Sequence, residues 1–195
     1  CIRDSLWTAK AAFVNCTFYE NKVIGGQRGG ALNVNSGDLD VINCTIHKND
    51  GKSMGGGIQI RTADAKVRIY NSVIAGNIAT TAGMEDIGYD NESAARAVIR
   101  NSVVGTAVYN AGGSIAEGVS FDAATMFGSF GNNGGHTSTI ALTGSDNPAV
   151  TGGMSASELS ALVKDTLVPA ADAALVTKDQ TGVDRSGKQM GACVR

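Results

Sequence analysis

The sequence predicts an all-β solenoid of stacked parallel strands, and three observations carry that prediction. The first is a repeat. FVNCTF at 13–18 returns as VINCTI at 41–46, IYNSVI at 69–74 and IRNSVV at 99–104, placing Asn15, Asn43, Asn71 and Asn101 at steps of 28, 28 and 30 residues. The second is the texture between these points, as in GGALNVNSGDLDVINCTI, which is short, apolar and β-prone with no helical period. The third is composition: 26 glycines, 2 prolines and 5% aromatic residues among 195 suit many tight turns around small core side chains. One repeat cannot bury its own apolar residues, so neighbouring repeats must stack, about four coils of ~28 residues each.

Within residues 1–118 each element follows from a column of this stack. Phe13, Val41, Ile69 and Ile99 form one apolar column, and Phe18, Ile46, Ile74 and Val104 a second. Val14, Ile42, Tyr70 and Arg100 form a third column, whose arginine marks it as outward. Inward positions five residues apart break strict alternation, so a bend falls between them. Asn is the ordinary residue best able to take a left-handed backbone there. Asn15, Asn43, Asn71 and Asn101 are therefore expected at a corner, as a ladder of stacked amides. Asn21, Asn49 and Asn77 repeat six residues later, and glycine patches at Gly29 and Gly55 precede the next apolar segment. Further coils or a partner are expected at the N-terminal end, because an uncovered coil exposes strand edges.

From about Val119 the period stops, and residues 119–195 are expected to cap the solenoid's open end. In MSASELSALVKDTL, Ser155 and Glu158 have capping-box spacing and Leu159, Leu162, Val163 and Thr166 share a face, predicting one helix of about ten residues that Val168-Pro169 terminates.

The repeats resemble the right-handed parallel β-helix of the pectin-lyase-like superfamily and the repeats of polymorphic outer membrane proteins. FGSFGNNGGHTSTIALTGSDNPAV at 127–150 and DQTGVDRSGKQMGACV at 179–194 resemble the opening and closing motifs of the choice-of-anchor Q module of bacterial surface proteins. His136, Ser138 and Cys193 depart from that pattern. The resemblance implies an exported protein at the cell surface of a Gram-negative bacterium, associated with its outer membrane. The implied fold is a right-handed parallel β-helix with a C-terminal cap.

Chemistry is sparse. A net charge of -2 with interspersed signs offers no stripe for nucleic acid, and no apolar run is long enough to span a membrane. Cys1, Cys16, Cys44 and Cys193 lack zinc-site spacing. Cys16 and Cys44 stack in adjacent coils and could approach disulfide distance, yet Ser72 and Ser102 occupy the same column, so a small packing residue suffices there and free thiols are the favoured expectation. Asn-Cys-Thr at Asn15 and Asn43 fits the N-glycosylation acceptor, but a bacterial resemblance and a laddered corner argue against that use. Asp4-Ser5-Leu6 and Asp165-Thr166-Leu167 match a three-residue O-glycosylation signal of Bacteroidetes exported proteins.

Lyases of this superfamily need clustered acids for Ca2+ and a base, and the hydrolases need paired aspartates. Asp38, Asp40, Asp64, Glu85 and Asp86, with Arg61 and Arg68, are the candidate glycan or ion contacts; Asp90 and Lys66 lie close to them in sequence. No catalytic motif accompanies these residues, and acids in SGDLD and TADAK more often serve turns. Catalysis is therefore disfavoured and no cofactor is expected, Ca2+ being the one ion such acids would take. His47 and His136 are expected on the surface, and Trp7 and Tyr19 could stack on a sugar ring, although a lone aromatic more often serves packing.

The leading expectation is a non-enzymatic stalk or adhesin that presents a β-helix face to glycan or protein. Alternatives are the end of a polysaccharide lyase or hydrolase whose groove lies on absent coils, or a subunit of a larger surface assembly.

Overall fold

The computed structural model describes residues 4–25, 28–90, 96–105 and 121–194. Twelve short strands form three parallel sheets. Sheet A holds β1 (Asp4–Leu6), β4 (Leu32–Val34), β7 (Ile58–Ile60) and β10 (Ile87–Tyr89). Sheet B holds β2 (Lys10–Val14), β5 (Asp38–Ile42), β8 (Lys66–Tyr70) and β11 (Arg96–Arg100). Sheet C holds β3 (Thr17–Tyr19), β6 (Thr45–His47), β9 (Val73–Ile74) and β12 (Val103–Val104). Each strand pairs with its counterpart one coil away, as in Phe13↔Val41↔Ile69↔Ile99, so sequence columns are physical columns. The fold is a parallel β-solenoid in which three turns separate the first rung from the fourth, slightly fewer than the four coils expected.

The corners explain the motif. Asn15, Asn43, Asn71 and Asn101 have φ of 55°, 53°, 51° and 44°, the left-handed turn between sheets B and C. A second left-handed column follows five residues later at Glu20, Lys48 and Gly76, with φ of 52°, 56° and 68°. Sheet C is thus held to three residues or fewer between two tight corners. The return to sheet A uses the glycine patches, where backbone meets backbone: a Cβ on Gly56 would lie 2.5 Å from the Ile78 carbonyl. Inside, the columns Leu39/Val67/Ala97, Val41/Ile69/Ile99 and Leu32/Ile58/Ile87 are buried and form one continuous core.

The remaining chain contributes more helix than the single one anticipated. It comprises α1 (Ala123–Met126), an antiparallel hairpin of β13 (Phe127–Gly131) and β14 (Thr139–Leu142), α2 (Pro148–Thr151) and α3 (Ala156–Leu162). Two 3-10 segments follow, Val163–Asp165 and Ala170–Thr177. The Ser155 hydroxyl accepts the Glu158 N–H while Glu158 accepts from the Ser155 N–H, and this capping box starts α3.

Among the described residues this C-terminal segment packs along the flank of the coils. Met154, Leu159, Leu162, Val168 and Val176 pack on Ile42 and Tyr70 of sheet B. Phe127, Ile140, Leu142 and Met190 pack on Val73, Ala75 and Val103. The column marked as outward by its arginine is therefore outward from the solenoid, yet buried under the flank at Ile42 and Tyr70. The expected boundary at 118–119 lies outside the described residues.

Candidate functional site

The two asparagine columns do different things. Asn21, Asn49 and Asn77 form an internal ladder: the side-chain oxygens of Asn49 and Asn77 each accept both the backbone N–H and the amide N–H of the preceding rung. The Asn21 Nδ2 to Asn49 Oδ1 distance is 2.7 Å and the Asn49 Nδ2 to Asn77 Oδ1 distance is 2.8 Å. Asp86 completes the ladder by accepting from the Asn77 N–H and amide at 3.0 and 2.7 Å. In the corner column the rung from Asn71 to Asn43 is an amide pair at 2.7 Å. All four corner amides also reach the flank, donating to the carbonyls of Leu175, Val176, Gln189 and Gly152 from Asn15, Asn43, Asn71 and Asn101 respectively. The corner thus binds one flank carbonyl per coil.

The candidate acids and arginines do not converge on one place. Asp40 is fully buried on sheet B, pairs with Arg68 and accepts the Leu167 N–H of the flank. Asp38 lies beside Lys10 at 3.6 Å, in register with Lys66. Arg61 and Arg28 both pair with Asp90, to which Gln59 also donates. Asp64 is exposed in the turn before β8, Glu85 is half-buried, and Asp86 ends the asparagine ladder. Among the described residues no three acids, histidines or cysteines group as a metal site.

His47 corrects an expectation, because it is buried. Its Nδ1 lies 2.8 Å from the Ala75 carbonyl, and its ring packs on Phe127 with centroids 4.4 Å apart. Burial pushes its pKa below the ordinary histidine value. His136 is exposed, as anticipated. The hydroxyl of Thr166 is engaged by the Val163 carbonyl at 2.8 Å. The closing motif is self-supporting. Asp179 accepts from Thr181, Val183 and Val194; burial pushes its carboxyl up, but these donors outweigh it and hold the pKa below the usual value. Arg185 is buried and donates to the carbonyls of Lys178, Gln189 and Gly191; desolvation lowers its pKa to about 10, so it remains charged.

What the structure does assemble is a cleft of about 370 Å³ at the first rung, between coil and flank. Phe13, Cys16, Phe18 and Tyr19 come from the coil, Phe130, Thr137 and Ser138 from the hairpin, and Gln180 from the closing motif. Tyr19 and Phe130 stack with centroids 4.5 Å apart and planes 13° apart. The Gln180 amide is fixed at both ends, accepting from Thr17 Oγ1 at 2.6 Å and donating to Thr137 Oγ1 at 2.8 Å. Among the described residues no carboxylate, imidazole, ammonium or guanidinium lines the cleft. Tyr19 was a candidate contact from sequence; Phe130, Thr137 and Gln180 were not, because nothing local brings 130–138 and 180 to residue 19. Trp7 is exposed on the far side of β2 in sequence and lies outside this lining. Compared with known proteins, the chain matches no family model, no curated protein and no solved structure.

Proposed function

We propose that this chain is a non-enzymatic module of an exported surface protein, a stalk or adhesin whose rigid solenoid presents a binding face to glycan or protein. The observation that carries the reading is the cleft beside β3. It offers a stacked aromatic pair, a pinned amide and hydroxyls, which are groups that hold a ligand. Among the described residues it offers no acid–base pair to turn a ligand over. Asp40 and Asp86, which a lyase or hydrolase reading would enlist, are occupied in holding backbone and ladder. The repeats and the two C-terminal motifs resemble pectin-lyase-like, polymorphic outer membrane and choice-of-anchor Q proteins, which supports a Gram-negative cell-surface setting.

The test is a glycan array and a protein pull-down with the intact chain, with Phe130→Ala and Gln180→Ala as variants. Binding that falls by about tenfold in each, as loss of a stacking ring or a pinned amide predicts, supports the reading. Cleavage of a uronate polymer, read as absorbance of unsaturated product, would replace it with the lyase alternative. Light scattering that finds a stable oligomer would favour the assembly alternative.

A further inference from the structure

Cys16 and Cys44 occupy the same position of successive coils. The Asn15 N–H donates to the Ile42 carbonyl at 3.0 Å and the Thr45 N–H to the Cys16 carbonyl at 2.9 Å, so these bonds bracket the pair. Their backbones are therefore one strand spacing apart, about 4.8 Å. That falls inside the roughly 4.4–6.8 Å between Cα atoms that a disulfide spans. Both thiols turn the same way: each donates to the carbonyl two residues earlier, Cys16 to Val14 and Cys44 to Ile42, both at 3.3 Å. The Cys44 sulfur also reaches into the first coil, 3.4 Å from the Phe13 carbonyl.

The two thiols differ in access. Cys16 is half-buried and lines the cleft, while Cys44 is fully buried behind it. The Cys44 thiol, hydrogen-bonded to Cys16, holds the Cys16 pKa below the ordinary thiol value, and burial pushes Cys44 well above it. An accessible nucleophile backed by a protonated, buried partner is the division of roles in thiol–disulfide exchange. Packing does not require sulfur here, since Ser72 and Ser102 fill the same column and accept the same backbone N–H bonds, from Cys44 and Ser72, at 3.0 Å.

We infer that Cys16 and Cys44 form an exchange-active dithiol that reduces a small disulfide entering the cleft and leaves the first two coils covalently linked. The Cys16 thiolate attacks one sulfur of RS–SR, forming Cys16–S–S–R and releasing RS⁻. Cys44 then gives up its proton to the released thiolate and attacks the Cys16 sulfur, expelling the second RS⁻, which takes a proton from water. Two protein thiols are oxidised to one disulfide, and one small disulfide is reduced to two thiols.

The experiment is incubation of the full chain with oxidised glutathione, followed by intact mass and peptide mapping. A Cys16–Cys44 bond is expected in the wild type, with Cys193, which is buried on the flank, unmodified. Cys44→Ser should stop at a glutathione adduct on Cys16, and Cys16→Ser should react at least about tenfold more slowly at Cys44. Both variants install the residue later coils already use, and circular dichroism checks their fold. Iodoacetamide labelling of the wild type is an independent measure, with Cys16 expected to react about tenfold faster than Cys193. A wild-type glutathione adduct that never closes onto Cys44, or equal labelling of Cys16 and Cys193, overturns the inference.

Discussion

At Asn49 one side chain serves three coils. Its amide donates to the Phe18 and His47 carbonyls and to Asn77, while its oxygen accepts both N–H groups of Asn21. All of this is out of water, so truncation to alanine orphans donors and acceptors in a place where nothing can replace them. Asn49→Ala is expected to lower unfolding free energy by about 3 kcal/mol, read from urea denaturation; a loss under about 1 kcal/mol would mean water enters the ladder. The asparagines were legible in the sequence because a ladder needs the same residue at every rung. Asp40 and Asp86 were not. Each acts once, on a partner far away or in a different corner, and an acid that ends a ladder reads in sequence like an acid in a turn.

Between elements, the decisive contact is the hairpin of β13 and β14 laid over sheet C. Phe127 covers His47 and Phe130 covers Tyr19. The groups facing His47 from its surroundings are the Tyr19 phenol, Lys48 and Glu20, while Phe127 of the hairpin and Ala123 of α1 bring no charge. Burial holds the folded pKa of His47 below the ordinary value of 6.5. As pH falls below that value the unfolded chain takes a proton that the folded one resists, so the stabilisation is complete above it and declines as pH drops toward the folded pKa. Melting temperature is expected to fall between about pH 7 and pH 5 in the wild type, with this component of the slope missing in His47→Gln. Parallel profiles for the two proteins would show that His47 does not set it. The helix offers a smaller, local test. Removing the capping hydroxyl in Ser155→Ala is expected to cost about 1 kcal/mol in thermal or urea unfolding. That cap was readable because its signal lies within four residues, as was the helical stretch of 156–165. Burial of His47 was unreadable, because it depends on where an aperiodic segment folds back.

Across the whole molecule, the solenoid's period fixed its rungs in advance and left the flank's position open. Columns of identical or similar residues at a constant step have one stacked solution. Residues 121–194 have no period, and their partners lie about 50 to 160 positions away, as between Asn101 and Gly152 or Asn15 and Leu175. Among the described residues the expected cap also braces the coils laterally, and that has a thermodynamic consequence. A bare stack of repeats interacts only between neighbours and unravels from its ends. Here each coil is tied to the flank through its corner asparagine, and α3 and the hairpin bury apolar side chains against sheets B and C. Opening a coil therefore also uncovers flank residues, and releasing the flank leaves Ile42, Tyr70 and four corner amides without cover. The two parts should unfold in one transition. Leu159→Ala in α3 and Ile69→Ala in the coil core each remove a fully buried side chain and should cost about 2–5 kcal/mol. Calorimetry should show both variants lowering the same single peak, with calorimetric and van't Hoff enthalpies equal. A separate low-temperature peak in Leu159→Ala alone would make the flank an independent unit and the corner bonds a mere docking surface.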